Sequence, residues 1–208
     1  MKPVKDHFIV ALSEEKRDID IISAVLDGDT EEFAVLIRRY QDKILGFCLS
    51  MLSENEAARD AAQEIFIKAY KGLADFRGDS AFSTWLYRIA FNHCRTLQQR
   101  TASARTESLD AMSAPAREEA ERRIPRPLDT SDDDLSKLAA QAVDSLPAGY
   151  RAAISLRLQG ADYQTIAATL GVSVDSVKAR LRRARIILRD RLRHFLSGSA
   201  SKQKEPLK

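Results

Sequence analysis

The chain has 208 residues, 44% apolar and 30% charged, with a formal net charge of +3. That composition excludes a fibrous or membrane-embedded protein and leaves one large domain or two small ones, either able to bury a core. No run approaches the roughly 20 apolar residues that span a bilayer, and two cysteines, Cys48 and Cys94, cannot build a disulfide framework. The short run "FIVAL", followed by "SEEKRD", does not read as a signal peptide. A reducing, cytoplasmic location without membrane insertion is expected.

Residues 1–17 read as an N-terminal extension. A short helix is predicted around "DIDIISAV", at the start of a helical domain over 18–100. Asp29 with Glu32 forms a capping pair, and Phe33, Leu36, Ile37, Tyr40, Ile44, Phe47 and Met51 then make a continuous apolar stripe. Ser53 and Glu56 open the next helix in the same way, with Ala62, Phe66, Ala69, Tyr70 and Leu73 on its buried side. Opposite that side, Asp60, Gln63 and Glu64 share a polar face at spacings of three and four.

The stretch "FRGDSAFSTWLYRIAFNHCR" breaks the helical period at Gly78 and resumes it from about Ser83. It holds Phe76, Phe82, Trp85, Tyr87 and Phe91 among three arginines, which suits either a helix half core and half solvated or a surface that stacks bases and holds phosphates. Leu86, Ile89, Ala90 and Leu97 mark its buried side, and Tyr87 and Phe91 are expected in the core. Trp85, Arg88, Asn92, Arg95 and Gln99 fall on one stripe.

Residues 101–137 carry nine acids and six bases, three prolines and no apolar period, and read as a flexible acidic linker. Its expected end-to-end distance is about 35 Å. Periodicity returns over 138–196, where Pro147 suits a helix start and Gly160 a helix end. Within "YQTIAATLGVSVDSVKARLRRAR", Ile166, Ala167 and Leu170 line one helix, Gly171 makes the turn, and Ser173 caps a second helix buried through Val177, Leu181, Ala184 and Leu188. This is a helix-turn-helix layout. Its outer face offers Ser176, Lys178, Ala179, Arg180, Arg182 and Arg183, short side chains and cations suited to a DNA groove. A helical hairpin with a merely solvated basic face is the bland alternative. Residues 197–208 read as a tail.

Taken together, "ARDAAQEIFIKAYKGLADFRGDSAFSTWLYRIAFNHCR" and "YRAAISLRLQGADYQTIAATLGVSVDSVKARLRRARIIL" closely resemble the bacterial extracytoplasmic-function (group IV) sigma factors of the sigma-70 family. The resemblance implies an all-α protein of two small domains joined by a flexible linker, a sigma-2-like bundle and a sigma-4-like helix-turn-helix. It implies core RNA polymerase (the beta-prime clamp and the beta flap) and promoter DNA as partners, with an anti-sigma factor expected as inhibitor. Asp60, Gln63 and Glu64 match the family's D-x-x-Q-E pattern and are the polymerase-contact candidates. Phe76, Arg77, Gly78, Asp79, Ser80, Ala81 and Phe82 are candidates for a pocket holding a base of the −10 element; Trp85, Arg88, Asn92 and Arg95 continue it. Ser173, Ser176, Lys178, Ala179, Arg180, Arg182 and Arg183 are the candidates for the −35 element. Ala61 and Lys178 depart from the usual pattern, and Lys for Arg gives up bidentate geometry. In that family the connector threads the polymerase RNA channel, which leaves two readings here: either Asp132–Asp134 or the Glu118, Glu119 and Glu121 cluster enters the channel, or the linker is merely solvated.

No catalytic residue, metal site, cofactor or small-molecule substrate is expected. Three histidines, at 7, 93 and 194, are scattered, and there is neither a phosphate-cradling glycine loop nor a paired-histidine helix. A self-sufficient helix-turn-helix regulator and a sigma-mimicking adaptor remain the competing readings.

Overall fold

The computed structural model describes residues 16–110 and 141–200, with side chains for 16–103 and 141–193, and contains no strand among them. The acidic clusters at 118–121 and 132–134, like residues 1–15 and 201–208, lie outside the described residues.

In the first domain, α1 (Asp18–Leu26) is tied across α2 (Phe33–Met51) by one carboxylate: Asp18 accepts from the Tyr40 hydroxyl and pairs with Arg39. Burial beneath this lock, with Asp18 beside it, pushes the Tyr40 phenol well above its ordinary range. The expected α2 stripe forms, with Leu36, Ile44, Phe47 and Met51 fully buried and Ile37 half-buried. Asp29 makes no side-chain cap. The chain enters α2 through a 3-10 turn, Thr30–Glu32, whose own backbone bonds occupy that place.

Helix α3 (Asn55–Lys71) starts two residues beyond Ser53, too late for the expected serine cap. It buries Ala58, Ala61, Ala62, Ile65, Phe66 and Ala69. Tyr70, expected on that buried side, is exposed and meets Phe33 edge to face. After a 3-10 turn at Leu73–Asp75 comes α4 (Phe82–Asp110). It continues past Arg100, where the linker was expected to begin; Thr101 donates back to the Leu97 carbonyl at 3.1 Å, and nothing there breaks a helix. Leu86, Ala90, Tyr87 and Phe91 are buried as expected, while Ile89 and Leu97 are half-buried.

The second domain has a helical turn at 141–144, then α5 (Ala148–Leu158), α6 (Tyr163–Leu170) and α7 (Val174–Ala200). Asp162 caps α6 by accepting from the Thr165 amide at 2.7 Å, a cap that sequence reading did not identify. Gly171 sits at φ +65°, the left-handed conformation a tight inter-helix turn needs.

The two domains do not stand apart. Helix α5 lies against α2 and α6 against α4, and one apolar cluster runs through both halves. Ser50 and Ser155 share a 2.6 Å hydrogen bond, and the Tyr87 hydroxyl donates to Gln159. Arg151, only 7% exposed, donates to the Met51 carbonyl at 2.9 Å and the Leu146 carbonyl at 3.1 Å, with Asp144 at 3.3 Å.

Candidate nucleic-acid and polymerase interfaces

On α3 the polar face forms as the spacing requires: Asp60, Gln63 and Glu64 are all exposed, opposite Ala61, Ile65 and Ala69. One turn further, Ile67 is 45% exposed, an apolar side chain set into this acidic face. Sequence reading passed over it, although a position three residues from Glu64 and four from Gln63 belongs to the polar face.

The loop at 76–81 rests on an aromatic foundation. Phe76 packs against Phe82 (centroids 5.8 Å apart) and Trp85 (5.4 Å), and Phe82 also meets Tyr40 at 5.6 Å. Gly78, at φ +75°, lets the chain turn above these rings. Arg77, Gly78, Asp79 and Ala81 are exposed, with Ser80 and Phe76 half-buried. Phe82 is the exception to the expected pocket. At 2% exposure it supports the loop from below, because α4 begins at Phe82 and turns its ring inward.

Along α4, Arg88, Asn92, Arg95 and Gln99 are exposed in one stripe, with Trp85 half-buried at its head. Arg88 is engaged: its guanidinium donates to the Ala168 carbonyl of α6 at 2.9 Å. Beneath the stripe Cys94 meets Cys48 of α2, sulfur to sulfur at 3.8 Å, both fully buried. Contact with Cys48 is the main influence holding the Cys94 thiol below its ordinary range, and the same contact, with burial, drives Cys48 up.

In the second domain Ser173 accepts from the Ser176 amide at 3.2 Å, so it is the helix cap as well as a groove candidate. Lys178, Ala179, Arg182 and Arg183 are exposed on α7. Lys178 pairs with Asp175 at 3.1 Å, and Arg183 reaches the Tyr150 hydroxyl at 3.4 Å. Ser176 and Arg180 are half-buried; a side chain at Gly149 would come within 3.1 Å of the Arg180 guanidinium, so glycine there lets that arginine lie against α5.

Among the described residues no cluster of three or more His, Cys, Asp or Glu could hold a metal ion, and no helix is long and apolar enough to cross a membrane. What the surface offers is a helix-turn-helix with a cationic outer helix, and a second helical domain pairing an acidic face with a ring-based loop. A helix-turn-helix with such an outer helix is the layout of a DNA-binding domain.

Comparison with known proteins identifies the class. The family described as Sigma-70 region 2 matches residues 36–103, and Sigma-70, region 4 matches residues 136–188. The chain is 35% identical to the RNA polymerase sigma-H factor of Pseudomonas aeruginosa over 182 residues, covering 82% of this chain and 91% of that protein. It is 36% identical to the ECF RNA polymerase sigma-E factor of Escherichia coli K12 over 179 residues, covering 84% and 93%. Among solved structures it is similar to the sigma factor RpoE in complex with the anti-sigma factor NepR from Bartonella quintana, at TM-score 0.60 and 25% identity over 78% of this chain and 98% of that one. It shares the fold of CnrH, solved with the cytosolic domain of CnrY, at TM-score 0.61 and 24% identity over 86% and 99%. The chain belongs to the sigma-70 family, in its extracytoplasmic-function group. It is therefore a transcription-initiation factor that works with core RNA polymerase on promoter DNA.

Proposed function

We propose that the first domain, residues 18–100, docks on the polymerase clamp through Asp60, Gln63 and Glu64 and opens the −10 element, while the second, 138–196, docks on the flap and grips the −35 element. The observation that carries this reading is the exposed Arg88, Asn92 and Arg95 stripe running from the ring-supported loop at 76–81. Opened bases need substitute stacking partners, which aromatic side chains supply at roughly 1–3 kcal/mol per base. Asn92 offers paired hydrogen bonds to a base edge, Arg88 and Arg95 hold phosphates, and Ile67 gives the acidic face an apolar anchor. On α7, Ser173, Ser176, Lys178, Ala179, Arg180, Arg182 and Arg183 address intact duplex, and the half-buried Arg180 works at the rim.

The chain acts in the cytoplasm as a specificity subunit without chemistry of its own, directing a stress- or envelope-responsive set of promoters. An anti-sigma factor holds it inactive, a reading supported by the RpoE structure, solved in complex with the anti-sigma factor NepR. Two weak DNA readers gain by effective concentration once polymerase holds both. With Arg88 spent on Ala168, the free chain binds promoter DNA poorly. Run-off transcription with purified core polymerase tests the reading. Asn92→Ala should relax −10 preference and leave core affinity unchanged; loss of core affinity instead would mean that this face meets polymerase.

A further inference from the structure

Two thiols in the core of the first domain have no part in the proposed function. Cys48 of α2 and Cys94 of α4 lie sulfur to sulfur at 3.8 Å, both without exposed surface. A buried cysteine usually behaves as a small hydrophobe and stays inert, because nothing beside it can react. Here each thiol has the other as its neighbour. To close from 3.8 Å to the roughly 2.0 Å of a disulfide, each sulfur moves by only about 0.9 Å. Cys94 is the thiol that ionises first, since its anion accepts from the Cys48 thiol, and the thiolate is the reacting form.

The pair is buried but not remote from the surface. Met51, one turn beyond Cys48, and Gln98, one turn beyond Cys94, both line a cleft of about 730 Å³ at the domain junction. The Gln98 amide donates to the Met51 carbonyl at 2.5 Å, joining α4 to α2 between that cleft and the next turn. A small oxidant in the cleft is therefore one helical turn, about 5.4 Å along the axis, from the thiols.

We infer that Cys48 and Cys94 form a redox site, which a hydroperoxide converts to a reversible disulfide tying α2 to α4. The Cys94 thiolate attacks a peroxide oxygen, the O–O bond breaks, and the leaving oxygen takes up the proton that Cys94 gave. This makes Cys94 a sulfenic acid. The Cys48 thiolate then attacks that sulfur, the S–S bond forms, and the expelled hydroxide leaves as water with the Cys48 proton. Two thiols and one hydroperoxide thus give a disulfide, an alcohol (or water) and a water; the sulfurs lose two electrons and the peroxide gains them. A dithiol reductant returns both thiols by exchange, so in a reducing compartment the bond is transient, as a sensor requires.

The bond has a mechanical consequence. The exposed Asn92 and Arg95 flank Cys94 on α4, and the loop at 76–81 rests on Phe82, which meets Tyr40 of α2. Drawing α2 and α4 together moves the stripe and the seat of the loop, and the oxidised chain opens promoters less well. This consequence rests on the reading that α4 faces opened DNA; the disulfide itself does not.

The test treats the full chain with hydrogen peroxide, removes the excess with catalase, and only then adds core polymerase. The intact mass should fall by two hydrogens, and a digest should yield Cys48 and Cys94 in one cross-linked peptide pair that dithiothreitol separates. Gln98→Ala should speed this reaction. In run-off transcription the oxidised chain should give a severalfold lower yield than the reduced chain, recovered by dithiothreitol. The double variant Cys48→Ala, Cys94→Ala should be indifferent to the treatment, which separates the disulfide from oxidation elsewhere. A chain that does not react, or gains oxygen on a cysteine without the cross-linked pair, would overturn the site. A disulfide that leaves the yield unchanged would overturn its coupling to promoter opening. A reduced chain that fails to initiate with core polymerase would overturn the proposed function and leave the redox site standing.

Discussion

At the scale of single residues, the interface side chains have double employment. Ser173 caps α7 while lying in the −35 set, and Phe82 holds up the loop it was expected to line. His93 stands beside Lys68, its Nδ1 2.5 Å from the ammonium. Burial first, then Lys68 and Arg100, hold its imidazole below the ordinary 6.5, with Glu64 opposing them. The folded state therefore disfavours the imidazolium. Above pH 6.5 this costs nothing; as the pH falls below it, the unfolded chain takes up the proton first and the fold loses stability. Urea unfolding at pH 7.5 and 5.5 should show the first domain weakening at the lower pH, and His93→Gln should remove part of that difference. An unchanged difference in the variant would mean that His93 is not the responsible group.

At the scale of elements, periodicity found helices but not their ends. The stripes of α2 and α4 were plain because an apolar residue every three or four positions has one physical use. The extension of α4 to Asp110 was invisible for the converse reason: a solvated helix needs no apolar face, and "TASARTESLD" merely permits one. The docking of α5 on α2 was equally hidden. Its contacts with α2 include Ser155 on Ser50 and Arg151 on the Met51 carbonyl, a small residue and a cation that look neutral in sequence. Arg151 holds that junction. Burial lowers its pKa, which Asp144 partly offsets, and its removal strands the Leu146 carbonyl and leaves the Met51 carbonyl to Gln98 alone. Arg151→Ala should cost roughly 3 kcal/mol in urea unfolding and lengthen the distance between dyes on the two domains. Arg151→Lys should not rescue it, because one ammonium cannot reach all three partners. An unchanged inter-domain distance would show that the apolar contacts suffice.

At the scale of the whole molecule, the arrangement seen is closed, with Arg88 lent to the second domain. A promoter presents its elements several helical turns apart along the duplex. With α4 continuing to Asp110, 30 residues separate it from residue 141, a length that spans at most roughly 100 Å. Most candidate contacts were legible because they lie on exposed faces with regular spacing. The approach of α3 to α4 was not, since Lys68 and His93 come together only through tertiary packing. The central claim is that the first domain captures bases from separated strands while the second grips duplex upstream. Permanganate footprinting of the holoenzyme on its strongest promoter tests this most directly. The account predicts reactive, unpaired thymines across the −10 element that fade with Arg88→Ala and Asn92→Ala; an initiating complex whose thymine reactivity is indifferent to both substitutions would contradict it.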